Sequence, residues 1–197
     1  MFVESKDDIL EKFQILYRKL ENLHDCSIVS IVTNHSSEFD KLQFGSFCEQ
    51  HGMSYNLSGP FISQSNEIVE RTHRKLRKMS RAMLDEQSIP QKFWCHALDM
   101  ATYIFNRVYM NKFINKTPYE ILRNRKPSLE YFRVFGCKVF ILNTKVHLTK
   151  FDPKSHECVF LGYSQTSKAY IVLNKKTMRI EESLNVTFNE SLPNLLR

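Results

Sequence analysis

Apolar residues recur at Ile9, Phe13, Leu16, Leu20 and Leu23, spaced by four and three, and predict a helix with one buried stripe. Ser5-Lys-Asp-Asp8 has the form of a capping box and starts that helix, leaving Met1–Glu4 room for no more than a strand stub. Ser27–Thr33 is short and β-branched, the pattern of a buried strand, with Asn34 just past its end. A short helix over Phe39–Gln50 buries Leu42, Phe44 and Phe47, and His51-Gly52 ends it. Met53–Leu57 reads as a strand and Ser58–Asn66 as a polar loop. A long helix over Glu67–Glu86 carries the stripe Val69, Thr72, Leu76, Met79 and Met83, and Ile89-Pro90 breaks it.

The next helix, Gln91–Tyr109, is predicted to bury Phe93, Trp94, Ala97, Ala101, Ile104, Phe105 and Val108. Thr117-Pro118-Tyr119-Glu120 has an N-cap followed by proline at the first helical position. Composition changes after Lys126-Pro127. Val134–Leu142, Cys158–Tyr163, Ala169–Leu173 and Leu184–Phe188 then alternate or run apolar between polar turns, which predicts four antiparallel strands. The expected division is therefore 1–126, a mixed α/β part, and 127–197, a small β module.

Composition adds a sign to this outline. The 197 residues are 42% hydrophobic, enough for a real core, and carry a net charge of +7. That balance favours polyanionic partners. Between Glu70 and Arg81 stand six Lys/Arg residues (Arg71, Arg74, Lys75, Arg77, Lys78 and Arg81). On a helix Glu70 shares a face with Arg74, Arg77 and Arg81, turned away from the Val69/Leu76/Met83 stripe. Such a basic ridge suits phosphodiesters. The plainer alternative is a solvated surface with Glu70 paired to Arg74 four residues on. Lys145, Lys150, Lys154 and Lys168, with Tyr163 and Tyr170, are a second possible DNA-facing set.

Five cysteines, with no C-x-x-C pair, argue against a disulfide framework and a structural zinc site. Cys48 and His51 have the spacing of a zinc half-site, but a core cysteine beside a helix-end histidine is the better reading. No apolar run has the length of a membrane span, and a nuclear or cytoplasmic protein is expected.

Several segments together resemble the integrase of copia-type LTR retrotransposons, the kind embedded in a Pol polyprotein. The family strand end, S/T-D-N/H-G-x-E-F, is matched by Thr33-Asn34-His35-Ser36-Ser37-Glu38-Phe39. The family run P-Q-Q-N-G-V-V-E-R is matched by Ser63-Gln64-Ser65-Asn66-Glu67-Ile68-Val69-Glu70-Arg71. Phe93-Trp94, Asn106-Arg107 and Thr117-Pro118-Tyr119-Glu120 resemble the helical section. Phe135-Gly136-Cys137, Lys150-Phe151-Asp152-Pro153-Lys154-Ser155 and Phe160-Leu161-Gly162-Tyr163 resemble the C-terminal section.

The resemblance implies an RNase H-like integrase core, incomplete because its first strands lie upstream of Met1, followed by a small antiparallel β module. It also implies a D, D-35-E metal triad that binds Mg²⁺ (or Mn²⁺) and joins DNA ends to target DNA. Thirty-five residues separate Asn34 from Glu70, so Asn34 stands at the second Asp and Glu70 at the final Glu. The first Asp is expected upstream of Met1. A complete triad carries about −3; Glu70 alone offers about −1 against +4 from two Mg²⁺. Productive metal binding is therefore not expected, and the chain reads as a catalytically inactive integrase that still contacts DNA. Ser36 and Glu67 replace family glycines, which would strain the backbone if those sites need positive φ. The alternatives are a non-catalytic DNA- or protein-binding remnant that pairs with itself or other integrase copies, and a gene fragment without function. No membrane partner is expected.

Overall fold

The computed structural model describes residues 8–24, 27–33, 42–57, 63–143 and 153–190. The chain divides into two compact units, 1–74 and 75–197. The composition change at Lys126-Pro127 falls inside the second.

In the first unit, α1 (Ile9–His24) precedes β1 (Ser30–Thr33), α2 (Leu42–Gln50) and β2 (Ser54–Leu57). The strands pair in parallel from Ser30 opposite Ser54 to Thr33 opposite Leu57. Parallel neighbours need a crossover, and α2 lies in that connection. Tyr17, Phe44, Phe47, Cys48 and Met53 form the core, with Leu10, Phe13, Ile28 and Ile31 packed against it. Phe13 meets Phe44 and Phe47 edge-on, with centroids 5.5 and 6.0 Å apart.

The buried face of α1 therefore runs through Leu10, Phe13 and Tyr17, not along the whole predicted stripe. Leu16 and Leu23 are exposed. Tyr17 has a polar tip but a large apolar ring, and burying that ring outweighed the hydropathy ranking. At the end of α2, the Met53 N–H reaches the Cys48 carbonyl (2.9 Å) and the Gly52 N–H reaches Glu49 (3.1 Å). This is a Schellman motif, and Gly52 supplies its left-handed residue at φ +64.

Helix α3 (Ser63–Glu86) contributes residues to both units. It begins four residues before the predicted start, because Ser63–Asn66, read as loop from its polarity, is helical. Its end repeats the Schellman pattern, with Ile89 N–H to Leu84 O at 2.9 Å and Ser88 N–H to Asp85 O at 3.2 Å. Ser88 takes the positive φ, Ile89 is buried, and Pro90 prevents continuation.

In the second unit a single turn (Gln91–Phe93) leads into α4 (Trp94–Val108), then α5 (Pro118–Arg123). The predicted cap of α5 forms in full. The Glu120 N–H donates to Thr117 Oγ1 (3.2 Å) and the Thr117 N–H to the Glu120 carboxylate (2.8 Å). That bond from the Thr117 backbone holds the Glu120 pKa below its ordinary value. Its stabilisation is present above the usual carboxylate range and is lost as pH falls through the lowered value. Thr117→Ala should cost about 1 kcal/mol, read as a lower urea midpoint at pH 7 with unchanged m-value.

Five antiparallel strands follow: β3 (Lys138–Leu142), β4 (Ser155–Tyr163), β5 (Tyr170–Asn174), β6 (Ile180–Ser183) and β7 (Val186–Asn189). Their order is β6-β5-β4-β3-β7. β6 is the strand that patterning did not predict. It reads Ile-Glu-Glu-Ser on a sheet edge, where hydrogen bonding to β5 sets the conformation without an apolar signature. The pairing of β4 with β5 shifts register between Phe160 and Gly162. Gly162, at φ +148, accommodates that bulge.

The core of this unit lies between α4 and the sheet, built from Phe93, Ala97, Met100, Phe135, Val139, Val159, Phe160, Val172 and Leu173 among others. Trp94 and Val108, predicted as core, are about half exposed. Met100, one turn beyond Ala97, takes that interior instead. Gly136 sits at φ +80, and a Cβ there would stand 2.5 Å from Ile89 Cδ1. This close approach is why the Phe135-Gly136-Cys137 step needs glycine.

Candidate nucleic-acid interface

Helix α3 has no glycine or proline within it and is rich in Arg, Lys, Glu, Met and Leu, all good helix formers. It is unbroken, so the spacings read from sequence hold along it. Val69, Thr72, Leu76, Met79 and Met83 are half-buried, and Ser80 and Leu84 are buried. Glu70, Arg71, Arg74, Lys75, Arg77, Lys78 and Arg81 are all exposed. The apolar stripe is thus shallower than predicted, and the basic face is free of the core.

The seven polar positions are not equivalent. Arg71 pairs with Glu67, four residues earlier, and both side chains are more than half exposed. An ion pair this open adds a few tenths of a kcal/mol. Lys75 donates to the Tyr109 hydroxyl (2.7 Å), and its Nζ lies 4.1 Å from the centre of the Tyr109 ring. That bond holds the phenol pKa below its ordinary value. Tyr109 itself follows α4, its N–H bonded to Phe105 O at 2.9 Å. No sequence spacing signals this pair, since thirty-three residues separate its members.

Among the described residues Glu70 makes no ion pair, and neither do Arg74, Arg77, Lys78 and Arg81. The expected Glu70–Arg74 pair is replaced by Glu67–Arg71. Glu67 is an ordinary helical residue without positive φ, so it does not strain the backbone. The expected cost of replacing glycine there is absent, and its charge is taken up by Arg71. Ser36 and Asn34 lie outside the described residues.

Among the described residues, other candidate chemistry is absent or inert. Among the described residues no three His, Cys, Asp or Glu side chains gather into a metal-holding group. Cys48 is fully buried and, among the described residues, no group of ligands gathers around it and His51, whose Nδ1 is hydrogen-bonded to the Phe47 carbonyl at 2.9 Å, so the core-cysteine reading fits better than a zinc half-site. Burial pushes the Cys137 thiol up to about 12 and Cys158 up to about 11, so neither is a nucleophile at neutral pH. No described helix is long and apolar enough to cross a membrane. Of the second basic set, Lys154 and Lys168 are exposed, Tyr163 and Tyr170 are half-buried, and Lys145 and Lys150 lie outside the described residues.

Residues 137–195 match the retroviral polymerase SH3-like domain. Over 189 residues the chain is 32% identical to the retrovirus-related Pol polyprotein from transposon RE1 of Arabidopsis thaliana, covering 96% of this chain and 13% of that protein. It is 30% identical to the Pol polyprotein from transposon RE2 of the same plant, covering 95% and 13%. It is 27% identical to that from transposon TNT 1-94 of Nicotiana tabacum, covering 96% and 14%. The chain therefore spans about one seventh or less of these curated relatives.

Among solved structures it is similar to a chain of the simian T-cell lymphotropic virus intasome in complex with PP2A regulatory subunit B56 gamma. The identity is 12%, the TM-score 0.47, and the coverage 95% of this chain and 63% of that one. The HTLV-2 integrase catalytic core domain in complex with magnesium is 18% identical, with TM-score 0.44 and coverage of 61% and 72%.

Proposed function

Because this chain is an integrase-like region of a copia-type retrotransposon Pol polyprotein, an integrase-core-like α/β part followed by an SH3-like module, we propose that it binds duplex DNA without strand-transfer chemistry of its own. The observation that carries this reading is the exposed basic face of α3, where Arg74, Arg77, Lys78 and Arg81 make no ion pair among the described residues. Four exposed cations on one helical surface suit a polyanion with repeating phosphates better than a small ligand. Arg71 and Lys75 assist more weakly, since each is already held by a neighbour.

By the resemblance of its motif, Glu70 stands where the integrase family would hold a magnesium or manganese ion. Two such ions activate the attacking oxygen and stabilise the leaving one. The residues of this chain do not fit that pair of ions. Glu70 brings one carboxylate, Asn34 brings a neutral amide where an aspartate stands in the family, and the described residues hold no cluster of ligands. Mg²⁺ is bound mainly by carboxylates and phosphate oxygens, so an amide cannot supply the missing charge.

The test uses the 197-residue chain, an oligonucleotide duplex carrying a recessed 3′ end, and Mg²⁺ or Mn²⁺. Duplex binding without joined product is the expected result. Joined product that disappears on Glu70→Gln would overturn the inactive reading, and absence of duplex binding at low salt would overturn the DNA reading.

A further inference from the structure

A cleft of about 480 Å³ opens in the second unit, lined by Tyr103, Tyr131, Tyr163, Tyr170 and Lys168. We propose that it takes one unpaired nucleobase of a DNA strand, with the base stacked on Tyr131 and the adjoining phosphate met by Lys168. The inference rests on the DNA-binding reading above and names the form of nucleic acid for a second site.

The walls of the cleft are built and fixed. The Tyr163 hydroxyl donates to the Tyr131 carbonyl (2.5 Å) and accepts from the Arg133 N–H (3.0 Å), so its polar tip is satisfied. Its ring stacks on Tyr103 at 4.4 Å, with planes 24° apart. The Arg107 guanidinium lies 3.5 Å from the Tyr103 ring centre. Two planar groups this close to one ring must occupy its opposite faces, so Tyr103 has none left for a ligand. Tyr170 is set edge-on to Phe188, with centroids 5.0 Å apart. Tyr131 differs: its backbone is anchored by Tyr163, the residue is 59% exposed, and among the described residues its ring has no aromatic partner.

The rim is equally ordered. Ser164 Oγ accepts from the N–H groups of Thr166 and Ser167, and the Ser164 N–H bonds the Ala169 carbonyl at 2.9 Å. This closed turn presents Lys168 to solvent beside the tyrosines. The Ser167 hydroxyl donates to the Glu182 carboxylate at 3.2 Å.

The volume lies within the roughly 300–1,000 Å³ of pockets that take small planar ligands. An exposed ring and a cation at the rim match a base and its adjoining phosphate. A proline-rich peptide would use the aromatic rings but leave Lys168 without an anion. Base-paired DNA cannot enter, because its bases are stacked on one another.

A single-stranded octamer carrying 2-aminopurine tests this with the full chain. Stacking on tyrosine should quench the probe, and Tyr131→Ala should weaken octamer binding about tenfold or more. Lys168→Glu should weaken it as well. Neither variant should change blunt-duplex binding, whereas Arg77→Glu/Arg81→Glu should remove it. Octamer binding with quenching but no duplex binding would sink the α3 reading and leave the cleft proposal standing. Unquenched probe, octamer affinity indifferent to both Tyr131→Ala and Lys168→Glu, displacement by a proline-rich peptide, or equal affinity for free dAMP would each overturn the cleft proposal.

Discussion

Replacing Arg77 and Arg81 together by glutamate is expected to lower duplex affinity at least about 100-fold at 100 mM salt. The two side chains lie one turn apart on α3, both are exposed, and neither is paired among the described residues. With Arg74 and Lys78 they make four cations available to phosphates. Four phosphate contacts give a plot of log affinity against log salt with slope of about −4. Removing two halves that slope, and the introduced carboxylates add repulsion on the same surface. Fluorescence anisotropy across a salt series separates the two effects. An unchanged slope would show that α3 is not where the duplex lies. The change should leave stability near its starting value, because these positions contribute nothing to the core.

Phe160→Ala is expected to cost about 3–5 kcal/mol, enough to unfold much of the second unit. Phe160 is fully buried on β4. Its ring meets Tyr163, Tyr170 and Phe188 edge-on at 5.3, 6.0 and 5.4 Å. Its backbone N–H bonds Cys137 O (3.0 Å) and its carbonyl accepts from Gly136 (2.8 Å), so a relaxing β4 cannot fill the cavity without breaking those bonds. Near-ultraviolet circular dichroism and urea denaturation report the loss. A cost below about 1 kcal/mol would mean the aromatic cluster is not the centre of this core.

Both expectations depend on different kinds of information. The identity of α3 as an exposed basic helix was legible in the chain itself. Charges at four- and seven-residue spacing can lie on only one side of a helix, and polar side chains need no partner to stay in water. The same holds for the α5 cap, since Thr117, Pro118 and Glu120 act on their own backbone. The family was legible too, through the ordered series of short motifs ending in Phe160-Leu161-Gly162-Tyr163.

Which apolar residues go inside was less legible. α1 turned Tyr17 inward and left Leu16 and Leu23 in water, and α4 buried Met100 while Trp94 stayed half exposed. Each helix has more apolar positions than its partner surface can cover, and the shape of that surface makes the choice. The edge strand β6 was invisible because its order comes from β5 rather than from its own residues.

Local sequence thus determined helix identity, capping and the basic face, all of which act within a few residues of chain. Tertiary structure alone decided that Lys75 is held by Tyr109 and that Tyr103, Tyr131, Tyr163 and Tyr170 meet around one cleft. Most of those partners are brought together across long stretches of chain by the packing of α4 on the sheet, and no periodicity can encode an encounter between residues that far apart.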